Sequence, residues 1–422
     1  MVNPKQFIKD FLVIEKPVLN VIISEFFIQM VNATFMVVLP LYLEKLNYTN
    51  EEIATFLTFR FLGVFVLAWP LGKFIKGKKL MWLFAISNLC VPIFGLLSVI
   101  SFVWKIKWLS IIFLFLWGAS FTFMQIPVSP YILRNTKKEN QTAAISLSYS
   151  TWSFGSIVSS VLIVILDKIN PQLFNEYVIL ILFSIAGLGG VFYIFRAFKF
   201  KEIVEENNNN IEINNSEKNN TNWRLIIKAL IPTLIIATGA GLTIPFISLF
   251  FSHVHHLDKG SFSILSAIAA ILVAYGSLMV PQIKKSIGYK IAIPTTQSLA
   301  VISLAMMATT QYYNQYSIAV IIAAVCYILR QPLMNMAGPM TTEIVLNYVG
   351  KNNREITSAL TAAIWSGSWV ISGLMVKFLF SHQFQFVNIF LITSLLYAFG
   401  VFMYYFLILD YNKREKEGLI EK

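Results

Sequence analysis

Apolar residues run through this chain in long blocks, parted by short stretches rich in charge or turn residues. A helix needs about 20 residues, at roughly 1.5 Å each, to cross the hydrocarbon of a bilayer. Twelve blocks meet that length, at approximately 18–43, 52–72, 80–103, 108–132, 142–166, 176–197, 224–251, 261–281, 290–311, 316–340, 355–380 and 385–409. They recur from end to end, so the pattern predicts a polytopic all-α membrane protein rather than a soluble domain with an anchor. They are called spans 1 to 12 below.

One span breaks its own pattern. Within span 1, Glu25, Gln29, Asn32 and Met36 fall on one narrow arc of the helix at about 100° per residue. A carboxylate in hydrocarbon is expensive and is normally turned to a protein partner or a watery cavity. The seam therefore predicts a pathway.

Between spans 6 and 7 the composition changes. Residues 199–222 are rich in Asn and Glu, with almost nothing to bury, and read as a flexible cytoplasmic linker. The predicted organisation is an N-terminal six-helix bundle over 1–198, the linker over 199–222, and a C-terminal six-helix bundle over 223–422. The halves look related. Pro40 and Pro245 stand 205 residues apart, and the same offset carries Gln125-Ile126-Pro127 onto Arg330-Gln331-Pro332 and Lys79 onto Lys284. With a small insertion, Trp152-Ser153-Phe154-Gly155 aligns with Trp365-Ser366-Gly367-Ser368. A parallel duplication of this kind predicts two pseudo-symmetric six-helix bundles with a substrate site near midplane between them.

Composition agrees: 57% of the 422 residues are hydrophobic and 13% are charged, against about 25% charged in soluble domains. The net charge of +12 does not point to nucleic acid, because the basic residues gather in short loops. Lys73, Lys76, Lys78 and Lys79 lie in the 2–3 loop, Arg134, Lys137 and Lys138 in the 4–5 loop, and Lys284 and Lys285 in the 8–9 loop. By the positive-inside rule both termini are cytoplasmic, with Lys105 and Lys107 as exceptions on the outer side. A multi-pass protein of the plasma membrane is expected, its first span retained because no cleavage-type segment precedes it. Cys90 and Cys326 lie within apolar runs and read as packing residues, with no metal spacing.

With these features the chain resembles the major facilitator superfamily over essentially its full length. The resemblance rests on twelve spans, the 6+6 repeat, the central linker and the basic 2–3 loop. That loop, Gly72-Lys73-Phe74-Ile75-Lys76-Gly77-Lys78-Lys79, is similar to a shortened Gly-x-x-x-Asp-Arg-x-Gly-Arg-Lys signature. It lacks the aspartate that, in the family, helps latch the halves on the cytoplasmic side. The run Arg330 to Pro339 is similar to one in many members of unassigned substrate. The Gly-Pro-rich span-5 motif of drug/proton antiporters is not clearly present; span 5 offers the small residues Gly155, Ser156, Ser159 and Ser160 instead.

The resemblance implies that spans 1, 4, 7 and 10 line the cavity, which ranks the polar residues. Glu25, about seven residues or roughly 10 Å into its span, is the expected proton-coupling carboxylate. Arg330, about 21 Å from the outer end of span 10, is either a salt-bridge partner facing Glu25 or an anchor for an anionic substrate group. Arg60 in span 2 is expected in a gating or structural ion pair, with Glu25 as a candidate partner. Gln29, Asn32, Gln125, Gln331, Asn335 and Trp365 are substrate-binding candidates. At offset 205, Glu25 maps to Leu230, so span 7 has no seam and instead offers Gly239-Ala240-Gly241 and Pro245 as a flexible stretch. Lys228 and Lys377 read as snorkelling residues. His253, His255 and His256 read as a solvated outer loop rather than a metal site.

The expected function is secondary active transport of a small organic solute by alternating access, coupled to protons, leaning to export of an amphipathic or drug-like compound. The alternative is proton-coupled uptake of an anionic metabolite held by Arg330, and a non-transporting receptor or scaffold is a remote third. No Gly-x-x-x-x-Gly-Lys-Ser/Thr loop is present, which argues against direct ATP use. No span carries His or Asp/Glu at catalytic spacing, so no enzyme and no cofactor are expected. The expected partners are the solute, protons and the lipid bilayer, with the chain working as a monomer.

Overall fold

In hydrocarbon every backbone N–H and C=O must be satisfied within the segment, which leaves the helix as the economical answer to long apolar runs. The structure, a computed structural model, describes residues 13–48, 50–170, 172–203, 221–257 and 259–418, and among these it contains helices and no strand. The middle of the predicted linker, residues 204–220, lies outside the described residues. So do the first twelve residues and the last four.

The helices match the twelve spans, with five differences. Span 1 is Lys16–Lys45, span 2 Asn50–Phe74 and span 3 Met81–Val103. Span 4 is split into Lys107–Gln125 and Val128–Asn135, because Pro127 brings no N–H for the helical ladder. Span 5 is Lys138–Ile169, and span 6 divides into Glu176–Gly187 and Gly189–Ala197. Span 7 runs over Trp223–Thr243, passes through a tight turn at Ile244–Phe246 that contains Pro245, and resumes as Ile247–His255. Spans 8 and 9 form one continuous stretch, Lys259–Thr309, interrupted at Gly288 with φ 68° and ψ 170°. Fifty-one residues of helix would measure about 75 Å, against roughly 30 Å of hydrocarbon. The chain must therefore turn back at Gly288, a backbone setting that suits only glycine. Span 10 is Ser317–Tyr348, with Pro332 and Pro339 inside it and its end eight residues past the expected 340; span 11 is Arg354–Ser381 and span 12 Phe386–Lys416.

Ten of these stretches are long and apolar enough to cross a membrane, and one of the ten, Ile264–Tyr313, carries two spans. The fold is that of an all-α membrane protein built as two six-helix bundles. By contacts the described residues divide into two units, one of 13–203 with 358–363, the other of 221–357 and 364–418. In the first, span 1 packs on spans 5, 6, 3 and the lower part of span 4. In the second, span 7 packs on span 12, and the span 8–9 stretch on span 10.

Two helices of the first unit take their caps from distant sequence. Span 3 begins after Leu80 and span 5 after Lys137, neither with a capping side chain of its own. Glu202, beyond span 6, accepts from the backbone N–H of Leu80 at 2.7 Å and of Met81 at 3.3 Å. Glu15, before span 1, accepts from the Lys137 N–H at 3.0 Å. Each does from afar what the acid of a capping box does locally. Burial pushes the Glu202 carboxyl up from its ordinary value, while the two amides, Arg134 and Lys79 pull the other way. The basic loop that lacks the signature aspartate thus has an acid beside it, supplied by the start of the linker.

Candidate functional site

Span 1 is buried around its polar seam. Glu25 and Asn32 are almost fully enclosed, Gln29 is half-buried and Met36 exposed. Span 5 reaches the seam closely because Gly155 lies against it: a Cβ there would come within 2.9 Å of the backbone at Gln29 and Met30. Ser159, one turn on, donates to the Met30 carbonyl at 3.0 Å. One turn before Trp152 on the same helix, Ser148 donates its hydroxyl proton to Glu25 Oε2 at 2.6 Å. Gln29, one turn on along the same face of span 1, sets its amide beside the same carboxyl.

The seam continues from there. Asn32 Nδ2 donates to Gln29 Oε1 at 3.2 Å, and Arg60 Nη2 donates to Asn32 Oδ1. The Arg60 Nη1 group meets Met36 Sδ at 3.1 Å, and its guanidinium carbon lies 3.7 Å from the centre of the Trp117 ring. Glycines again permit the approach. A Cβ on Gly118 would lie 1.9 Å from the Arg60 carbonyl oxygen, and one on Gly63 would lie 2.2 Å from that of Phe115. Gln29, Asn32 and Arg60 therefore form one hydrogen-bonded run from span 1 to a guanidinium on span 2, and the Ser148–Glu25 pair stands one helical turn before it.

This differs from the pairing expected for Arg60. Within its bundle the guanidinium is met by an amide, a thioether and an indole face rather than by the Glu25 carboxylate. Between the two charged residues stand the amides of Gln29 and Asn32. Gln125, the remaining candidate of this half, is exposed at the last turn of its helix, just before the break at Pro127.

In the other half Arg330 is 1% exposed and donates from Nη2 to Tyr397 Oη of span 12 at 3.2 Å. Its guanidinium carbon stands 5.8 Å from the centre of the Tyr397 ring. Among the described residues its Nε is buried with no hydrogen-bond partner. Gly239 of span 7 makes room for Tyr397, since a Cβ there would touch the ring at 3.0 Å. Asn335 is exposed, and its amide bonds the Gln331 carbonyl of its own helix at 2.8 Å. Gln331 and Trp365 are half-buried.

The glycines of span 7 are thus contact points. The helix runs through Gly239 and Gly241 and breaks later, at Ile244. Lys228 does not simply snorkel: it pairs with Asp410 at 2.8 Å, an acid that also receives Tyr348 Oη and Arg414. Lys107, an exception to the charge rule, is paired with Glu52. The side chain of Lys377 lies outside the described ones. Of the three histidines, His253 and His256 are exposed, and only His255 is partly enclosed. His253 and His255 end the helix Ile247–His255, with His255 Nε2 2.9 Å from Thr310 Oγ1 and its ring against Phe250 and Phe251. No group of three His, Cys, Asp or Glu residues among the described ones is arranged to hold a metal.

Three site residues were not evident in the sequence: Ser148, Trp117 and Tyr397. Ser148 had a faint signal, the run of serines at 146, 148, 150 and 153 in an otherwise apolar span.

Residues 21–373 match the family model described as Major Facilitator Superfamily. No curated protein matches the chain. Among solved structures, a bacterial homologue of the iron transporter ferroportin, in an outward-facing state, superposes with a TM-score of 0.74 at 10% identity, covering 94% of this chain and 100% of that one. The E. coli fucose:proton symporter FucP gives 0.72 at 12% identity, over 93% and 98% of the two chains. The proton:xylose symporter XylE gives 0.68 at 11%, over 96% and 97%. At these identities the likeness is one of fold.

Proposed function

The chain belongs to the Major Facilitator Superfamily; it is a membrane transporter of a solute and not an enzyme, and from that premise we propose that it works by proton-coupled alternating access with Glu25 as the coupling carboxyl. The observation that carries this reading is the burial of Glu25 at 6% exposure, within an apolar bundle, against a hydroxyl and an amide. A carboxyl so placed is costly when charged and has neutral partners able to serve it in either protonation state. Two structural neighbours, FucP and XylE, are by title proton symporters, which supports the coupling. The bundles 1–198 and 223–422 are read as the moving bodies, with both termini cytoplasmic in a plasma membrane and the chain acting as a monomer. Export of an amphipathic compound is the favoured direction, on the strength of an apolar, aromatic-rich chain.

A second reading has its own observation. Arg330 is a fully buried cation with an unbonded Nε and a tyrosine hydroxyl as its partner, an arrangement suited to an anionic solute group. On this reading the transport is uptake of an anionic metabolite. Purified protein in proteoliposomes with an imposed pH gradient and a panel of labelled cationic, neutral and anionic solutes separates the two. Glu25→Gln abolishes gradient-driven movement of the solute on either reading. Arg330→Gln lowers apparent affinity at least tenfold for an anionic solute only; the same loss for a neutral or cationic solute would remove the second reading.

A further inference from the structure

The direction of the hydrogen bonds along the polar chain has a chemical origin. A guanidinium carries donors and no acceptor, whereas an amide has one end of each kind. Arg60 can only donate, so the side of Asn32 that faces it must be Oδ1. That choice turns Asn32 Nδ2 toward Gln29, so Gln29 presents Oε1 to it. The remaining end of Gln29 is its Nε2–H donor, and the carboxyl beside that amide is Glu25, one turn back on the same face. Every proton in the chain points from span 2 toward the carboxyl. A neutral, two-sided group in place of Arg60 would leave both amides free to turn over.

We propose that Arg60 is a positioning residue for Glu25, acting through Asn32 and Gln29 to fix both amides so that they donate to the carboxyl. The proposal rests on the reading of Glu25 as the coupling group and reassigns Gln29 and Asn32 from solute contacts to that task. It makes the two partners of Glu25 unequal. The Ser148 hydroxyl can donate to a carboxylate or rotate and accept from a carboxylic acid. Gln29 can accept only by turning its amide, which breaks its bond from Asn32 and leaves Asn32 Nδ2 facing a donor. Proton uptake at Glu25 is therefore served from the Ser148 side and opposed from the Arg60 side.

Other polar groups on the packed neighbours have contacts of their own. Span 3 presents Asn88 to Ser24, span 6 presents Tyr193 to Phe27, and the lower part of span 4 has Arg134 donating to the Lys78 carbonyl. Span 5 offers Ser148. Span 2 offers Arg60, whose charge reaches the carboxyl through the two amides.

The test reads the protonation of Glu25 directly and needs no solute. Infrared spectra of the purified protein in nanodiscs, recorded across pH, report the carboxyl C=O band, which is assigned by its loss in Glu25→Gln. Arg60→Gln, which can both donate and accept, raises the pH midpoint for ionisation by about one unit, a tenfold change. Arg60→Lys, still donor-only, stays within a few tenths of the parent. Asn32→Leu keeps the charge of Arg60 but cuts the chain, and it moves the midpoint as Arg60→Gln does. Gln29→Met, at a half-buried position that tolerates the swap in folding, repeats that result if the Asn32 variant proves unstable. Midpoints unmoved in Asn32→Leu and Gln29→Met would overturn the proposal, as would an Arg60→Lys midpoint displaced as far as that of Arg60→Gln. If the midpoints move as expected while Glu25→Gln still couples transport to the pH gradient, the coupling role falls and the positioning role stands.

Discussion

A guanidinium enclosed in an apolar bundle needs compensation, and Arg60 has it from an amide oxygen, a sulfur and the face of Trp117. A cation over an indole is worth about 2 kcal/mol or more when both are desolvated. The seat depends on Gly118, where an added methyl would sit 1.9 Å from the Arg60 carbonyl oxygen. Gly118→Ala should thus cost roughly 2–3 kcal/mol by overpacking, seen as a lower midpoint of thermal unfolding in detergent. Gly77→Ala serves as a contrast: its Cβ meets nothing within 4 Å, so it carries only the strain of its positive φ of 66°. Glu25, Gln29 and Asn32 could be placed on one face from spacing alone, because a helix fixes about 100° per residue. Ser148, Trp117 and Tyr397 could not. Which faces of two membrane helices meet is decided by packing of small residues, and lipid is as apolar as leucine, so periodicity does not mark the contact.

At the scale of elements, the spans were legible because hydrocarbon enforces helix and length together. The caps of spans 3 and 5 were not, because Glu202 and Glu15 are more than 100 positions from the helix ends they serve. Glu202→Ala should cost about 1 kcal/mol, as loss of a cap does, and should raise amide hydrogen exchange at Leu80 and Met81 before other backbone of the 2–3 loop. Asp in its place, one methylene shorter, should recover part of that loss. The end of span 7 at His255 carries a pH-sensitive contact. Burial, with His256 beside it, lowers the affinity of His255 for a proton below the ordinary value of 6.5. Its neutral form is the one the fold accommodates, so its contribution is intact above pH 6.5 and is lost as pH falls below that value. Thermal unfolding followed from pH 7.5 to 5 should show that loss, and His255→Phe should flatten it. An unchanged slope in His255→Phe would place the sensitivity elsewhere.

For the whole molecule, the duplication read from the 205-residue offset holds for the order of helices but not for their polar content. One bundle carries a run of polar side chains from Ser148 to Arg60; the other buries Arg330 on a tyrosine hydroxyl. The matched prolines also behave differently, since Pro40 is contained in an unbroken helix while Pro245 lies in the turn that interrupts span 7. Fold class was therefore open to a reading of pattern, and division of labour between the halves was not, because it depends on a few buried side chains and their neighbours. The account places coupling in the first bundle. In proteoliposomes, with any solute from the labelled panel that the parent moves, two modes can be compared in Glu25→Gln: uphill movement driven by an imposed pH gradient, and solute exchange with equal pH on both sides. The account predicts that the gradient no longer drives accumulation while exchange continues at a rate within about threefold of the parent, since a neutral amide removes the proton and leaves the cycling of the protein. Gradient-driven accumulation that persists at the parent level in Glu25→Gln would contradict it.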